Sequence, residues 1–142
     1  MHSVENKVDK MDEALIVAAK AYRSHAYAPY SKFAVGAAVL AASGRIYGGA
    51  NIENASYSLT NCAERTAIFK ALSEGETHLT AIAVVADTKA PCAPCGACRQ
   101  VIAEFGIDRI IMANLAGERR NATLSELLPS VFSMDDSRLH VS

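Results

Sequence analysis

No stretch of this 142-residue chain approaches the ~20 consecutive apolar residues that a membrane-spanning helix requires. The first ten residues, MHSVENKVDK, lack the apolar centre of a secretory signal, so the cytosol is the expected compartment and no membrane partner is expected. An excess of charge is also missing: 14 Lys and Arg face 15 Asp and Glu, for a formal net charge of −1. Affinity for polyphosphate depends on clustered cations. The adjacent pair Arg119-Arg120 stands beside Glu118 and forms no stripe, so a nucleic-acid polymer is not an expected partner. Repeats, linkers and low-complexity segments are absent, which predicts one domain over residues 1–142, with 1–8 and 135–142 as flexible tails. Cysteine is scarce, at four residues, and in a reducing compartment these read as metal ligands or reactive groups before disulfides.

What the chain does have is ample apolar content, 51% of residues, enough to bury a core without a staple. Met11, Leu15, Ala18, Ala19 and Tyr22 recur at helical spacing and predict an amphipathic helix from about Val8 to His25, ended by the loop before Pro29. Phe33–Ala41 and Arg45–Ile52, joined across Ser43-Gly44, predict an antiparallel hairpin. A second helix is expected from Cys62 to Glu74, with Thr60 or Asn61 as N-cap and Gly75 past its end. Leu79–Ala86 is apolar at almost every position, as in a strand covered on both faces. A third helix over Gly96–Phe105 follows, then strands over Arg109–Asn114 and Glu118–Thr123. Thr123 and Glu126 have the spacing of a capping box for a short last helix. The order α-β-β-α-β-α-β-β-α predicts an α/β domain, a mixed sheet with helices on both faces.

Two segments carry chemistry: Cys62-Ala63-Glu64 and Pro94-Cys95-Gly96-Ala97-Cys98. Both fall where a helix begins, and a helix N-terminus favours thiolates. Three thiolates from two helix starts can surround one tetrahedral zinc that keeps a fourth position for water, with Glu64 on the first helical turn facing it. C-x-E followed by P-C-x-x-C matches the zinc-deaminase signature, with Cys in place of its first His. Three thiolates leave excess negative charge on such a centre, and Arg65 is the candidate to offset it by hydrogen bonding to sulfur. The alternative is a closed four-cysteine zinc site that includes Cys92, because Cys92–Cys98 contains two overlapping C-x-x-C spacings. Such a site is hydrolytically inert and needs neither Glu64 nor Arg65.

With these motifs the chain resembles the small homotetrameric cytidine deaminases. The resemblance runs from Tyr27–Phe33 through Asn51–Ala55, Asn61–Ala67 and Pro94–Gln100 to Glu126–Pro129 and Phe132. It implies a three-layer α/β/α fold with a five-stranded mixed sheet, one zinc per subunit, and a homotetramer whose sites are completed by neighbouring subunits. The implied reaction is hydrolytic deamination of cytidine and 2′-deoxycytidine to the uridine products and ammonia, as in pyrimidine salvage, with a zinc-activated water as nucleophile. By position, Cys62, Cys95 and Cys98 match the metal ligands and Glu64 the proton shuttle. Asn51 and Glu53 match the pair that binds the ribose 3′-hydroxyl; two apart on a strand, they project to one side. On their own they also read as a polar strand end bonded to its own turn. Phe33 and Ala63 match residues of the substrate pocket. Ala55 and Tyr57 match residues that reach the 5′-hydroxyl of a neighbour's substrate, and Phe132 an aromatic that stacks on the neighbour's base. Taken alone, Phe132 reads as a hydrophobic plug on the last helix. A blasticidin-S-type deaminase shares the C-A-E and P-C-x-x-C-R-Q segments but is disfavoured by Asn51–Asn54 and Phe33. A zinc-ribbon-like interaction module is the non-enzymatic alternative. Cys92 is expected to be a bystander thiol, and His2, His25, His78 and His140 fall outside every motif.

Overall fold

The computed structural model describes residues 2–134. Its centre is a five-stranded sheet in the order β2-β1-β3-β4-β5: β1 Val35–Ala41, β2 Ile46–Ala50, β3 Leu79–Ala86, β4 Arg109–Asn114 and β5 Arg119–Thr123. β3 and β4 pair in parallel and every other neighbour pair is antiparallel. The sheet is therefore mixed, as the element order predicts. Helices α1 His2–Arg23, α2 Ala63–Ser73, α3 Gly96–Glu104 and α4 Leu124–Leu127 complete it, with a 3-10 turn at Tyr57–Leu59 that no sequence pattern signals.

Because successive strand residues point to opposite faces, β3 serves two cores. Ala81, Ala83 and Val85 pack with Leu15, Ile16 and Ala19 of α1. Ile82 and Val84 pack with Ala67, Ile68 and Ala71 of α2 and Ile102 of α3. The result is three layers, with α1 on one side and the other helices opposite. The α1 face of the sheet is lined with alanine and glycine, which lets α1 lie close. A Cβ on Gly36 would sit 1.9 Å from the Ala19 carbonyl oxygen. α1 is pinned further by Asp12, which is 1% exposed and holds Arg109 at 2.8 Å and Arg119 at 3.0 Å.

The strands and the two long helices behind the site fall where the patterns place them, but several boundaries differ. α1 begins at His2, before the Val8 start that periodicity predicts; the expected tail 135–142 and His140 lie outside the described residues. The N-cap of α2 is Cys62, in place of Thr60 or Asn61. The strand β2 ends at Ala50, so Asn51 and Glu53 do not lie on it. They flank Ile52, which bridges Tyr27 on one side and Asn61 on the other. The capping box forms as expected, with Thr123 and Glu126 bonded reciprocally.

Candidate metal centre and substrate cavity

Register places the start of β1 beside the ends of β2 and β3, with Gly36 opposite Ala50 and Val35 opposite Ala86, while Ala86 meets Asn114 of β4. The loops leaving β2, β3 and β4 therefore emerge on one edge, where α2 and α3 also begin. Ligand sites in α/β sheets form at such carboxyl ends of strands. A cavity of about 270 Å³ opens there, with Phe33, Asn51, Glu53, Ala63, Glu64 and Cys95 in its wall. This is just under the range common for drug-sized ligands.

Two helix starts face each other across this edge. Cys62 is the N-cap of α2 and Cys95 the N-cap of α3, and the sulfur of Cys95 accepts a hydrogen bond from the Cys98 amide at 3.5 Å. Glycine brings α2 in. A Cβ on Gly49 would lie 2.5 Å from the Ala67 nitrogen and 2.9 Å from the Ala63 oxygen, so only a bare backbone lets the first turn of α2 rest on β2. The three sulfurs of Cys62, Cys95 and Cys98 lie within 4.8 Å of one another, and those of Cys62 and Cys95 are 3.9 Å apart. Tetrahedral zinc with Zn–S bonds near 2.3 Å places its sulfurs about 3.8 Å apart, so the trio fits one zinc ion. Cys92 is not part of this cluster among the described residues; half-buried, it lines the cavity, and burial together with the Glu64 charge pushes its thiol up to about 11. The closed four-cysteine arrangement is not what the chain builds.

Within the trio the negative charge is favoured on Cys62, and hydrogen bonding to it together with burial pushes the Cys98 thiol well above its ordinary range. Hydrogen bonding from Cys98 and Arg65, against the cost of burial, draws the Cys62 thiol down to about 5. Arg65 Nη2 donates to the Cys62 sulfur at 3.1 Å, and that contact raises the guanidinium's own basicity. Arg65 Nε is buried with no hydrogen-bond partner among the described residues. Such an orphaned donor costs free energy.

Glu64 is 5% exposed on the first turn of α2. Burial pushes its carboxyl up to about 7, with the Cys62 thiolate adding to the rise and Cys98 and Arg65 opposing it. A buried acid poised near neutrality is the requirement for proton transfer in both directions.

Across the cavity, Asn51 and Glu53 are buried and hydrogen-bonded to the Tyr30–Val35 segment. Asn51 Oδ1 accepts from Val35 N and Nδ2 donates to the Phe33 carbonyl, both at 2.8 Å. Glu53 Oε1 accepts from the amides of Tyr30 and Ser31, and Oε2 from the Ser31 hydroxyl. These bonds, led by the Ser31 hydroxyl, hold its carboxyl below the usual range. Phe33 is partly exposed over the cavity, and Tyr57, on the 3-10 turn, lines the cavity of its own chain. Ala55 and Phe132 do not line it; both are exposed, Phe132 by 68%.

Several residues with no expected role build the scaffold. Asn114, fully buried, donates to the carbonyls of Thr88 and Lys89 and so holds the loop that leads to Cys95. Arg99 donates to the Pro94 and Leu127 carbonyls, both at 2.8 Å, tying the ligand turn to α4. Gln100 donates to the Phe132 carbonyl at 3.0 Å. The place of Arg99 and Gln100 directly after Cys98 was the one available signal.

Comparison with known proteins agrees with this geometry. A family profile described as "Cytidine and deoxycytidylate deaminase zinc-binding region" matches residues 9–114. The chain belongs to this family. A cytidine deaminase of Sporosarcina psychrophila is 57% identical over 126 residues, covering 87% of this chain and 93% of the relative. One from Halalkalibacterium halodurans is 56% identical over 126 residues, covering 87% and 96%. The crystal structure of cytidine deaminase from Burkholderia pseudomallei matches with a TM-score of 0.82 at 52% identity, covering 84% of this chain and 98% of that one. The family relation makes the chain an enzyme and its cysteine cluster a zinc site. Among the described residues no helix is long and apolar enough to cross a membrane.

Proposed function

We propose that this enzyme hydrolyses cytidine and 2′-deoxycytidine to uridine and 2′-deoxyuridine, releasing ammonia, in the cytoplasm as a step of pyrimidine salvage. The observation that carries the reading is the buried Glu64 carboxyl on the first turn of α2, two residues after Cys62 of a three-sulfur cluster that fits one zinc ion. Zinc, when bound, supplies the Lewis acid that makes water a usable nucleophile near neutral pH. Cys62, Cys95 and Cys98 hold it, and Arg65 and the two helix N-termini offset the thiolate charge. Glu64 takes the proton from the attacking water as its oxygen adds to the ring carbon. It passes that proton to the ring nitrogen, then takes the second proton from the hydroxyl formed on the ring carbon and delivers it to the amine, which leaves as ammonia while the ring carbonyl forms, so that one carboxyl serves as base and acid in turn.

Asn51 and Glu53 bind the ribose 3′-hydroxyl in this reading, supported by their place in the cavity wall beside Phe33 and Ala63. A carboxylate at that position repels a 3′-phosphate, which favours the free nucleoside over a polymer. Ala55, Tyr57 and Phe132 complete the site of a neighbouring subunit in a homotetramer. The exposure of Phe132 and Tyr57, large aromatics in a chain with few, supports that role. The test is loss of ultraviolet absorbance when purified protein is incubated with cytidine, beside a chelator-treated sample. Turnover that disappears with the metal supports the reading; no turnover with cytidine or deoxycytidine by the zinc-loaded protein rejects it.

A further inference from the structure

Ser31 holds both sides of the sugar end of the cavity together. Its hydroxyl donates to Glu53 Oε2 and accepts the Phe33 amide at 3.0 Å, while its own amide donates to Glu53 Oε1 at 3.2 Å. For the chain to turn back on itself, Lys32 takes a left-handed backbone, φ +60°, a conformation unfavourable for a residue with a side chain. The chain adopts it, and the return is the Ser31–Phe33 contact.

Counting acceptor sites gives the consequence. An ionised carboxylate has about four lone-pair positions. In Glu53 the Tyr30 amide, the Ser31 amide and the Ser31 hydroxyl fill three of them. One position on Oε2 remains. Asn51, after bonding Val35 and Phe33, keeps one N–H. Together they offer a single hydroxyl one acceptor and one donor.

We infer that Ser31 is a positioning residue for sugar recognition: its hydroxyl locks the Glu53 carboxylate in one orientation and ties it to the loop that carries Phe33. The inference rests on the proposed deaminase reading, in which Glu53 meets the 3′-hydroxyl. Ser31 touches no reacting atom and acts through Glu53. Removing the hydroxyl frees a second acceptor position and lets the carboxylate turn, so the bond to the sugar weakens while Glu64 and the metal centre stay as they are.

The experiment compares two substrates, cytidine and 3′-deoxycytidine, in the zinc-loaded parent and in Ser31→Ala and Ser31→Thr. Because a hydrogen bond to a charged group is at stake, Ser31→Ala is expected to raise KM for cytidine about tenfold with kcat within about twofold. For 3′-deoxycytidine, which has no group to offer Glu53, KM is expected to stay within about twofold of the parent value. Ser31→Thr keeps the hydroxyl on an exposed loop and restores the cytidine KM. Equal losses on both substrates, an unchanged cytidine KM, or failure of Ser31→Thr to rescue would overturn the role of Ser31 while leaving the deaminase reading intact. A parent protein inactive on both nucleosides overturns the deaminase reading and this inference with it.

Discussion

Glu64 and Cys92 share the cavity wall but differ in what they do there. The carboxyl of Glu64 has a folded-state value of about 7 against an ordinary 4.5. A buried acid with a raised value binds more protons in the folded chain than in the unfolded one, so its contribution falls as pH rises from about 4.5 to about 7. In protein stripped of metal by a chelator, Cys62, drawn down to about 5, gains stability over the same interval, so the Glu64 effect is read as a difference: the urea-unfolding free energy of the parent minus that of Glu64→Gln is expected to fall by on the order of 3 kcal/mol between pH 5 and pH 8. Cys92 lies outside the sulfur trio. Cys92→Ala is expected to keep one zinc per chain, by metal analysis, and nearly full turnover. Loss of the metal in that variant would mean that the fourth cysteine is a ligand after all.

At the scale of elements, the active edge depends on how closely α2 approaches the sheet. Gly49→Ala places a methyl group against the backbone of α2, where no flexible side chain can give way. Overpacking of this kind costs about 1–3 kcal/mol, and because Cys62 and Glu64 ride on the displaced turn, zinc retention should fall with the urea midpoint. Both are measurable on one preparation. Elements with a strong local period were legible in the sequence: β3, with every second residue assigned to a different core, and the capped start of α4. The N-cap of α2 was not, because cysteine is no preferred cap and its place is set by the sulfur cluster. Asn51 and Glu53 line the cavity but lie off the strand the sequence predicts for them, since the chain leaves β2 at Ala50 to bridge Tyr27 and Asn61. Ser31, Asn114 and Arg99 act through hydrogen bonds to chain segments 22, 26 and 28 residues away. No local pattern announces contacts of that range.

At the scale of the whole molecule, three carboxylates among the described residues are held below their ordinary values by hydrogen bonds: Glu53 by Ser31, Glu76 by the Tyr47 and Ser43 hydroxyls, and Glu126 by the Thr123 amide and hydroxyl. Their stabilisation is present in full above the ordinary value of 4.5 and is lost as pH falls through the lower folded-state value. Acid also releases metal by protonating thiolates, so Glu76, remote from the cluster, isolates the effect. Glu76→Gln should be less stable than the parent at pH 7, and the gap should narrow as pH falls toward 3. Net charge near zero and the compact cavity beside the sulfur cluster fit an enzyme for a small uncharged molecule, in which the fold's task is to hold two helix starts at a fixed separation.

That separation brings the zinc ligands together, and it serves catalysis only if Glu64 moves protons for a reaction there. Zinc content and cytidine turnover measured on the same sample of Glu64→Gln test this most directly. One zinc per chain with turnover reduced by about 10³-fold is expected, in line with the loss of a general acid–base group; one zinc per chain with turnover near that of the parent would contradict it.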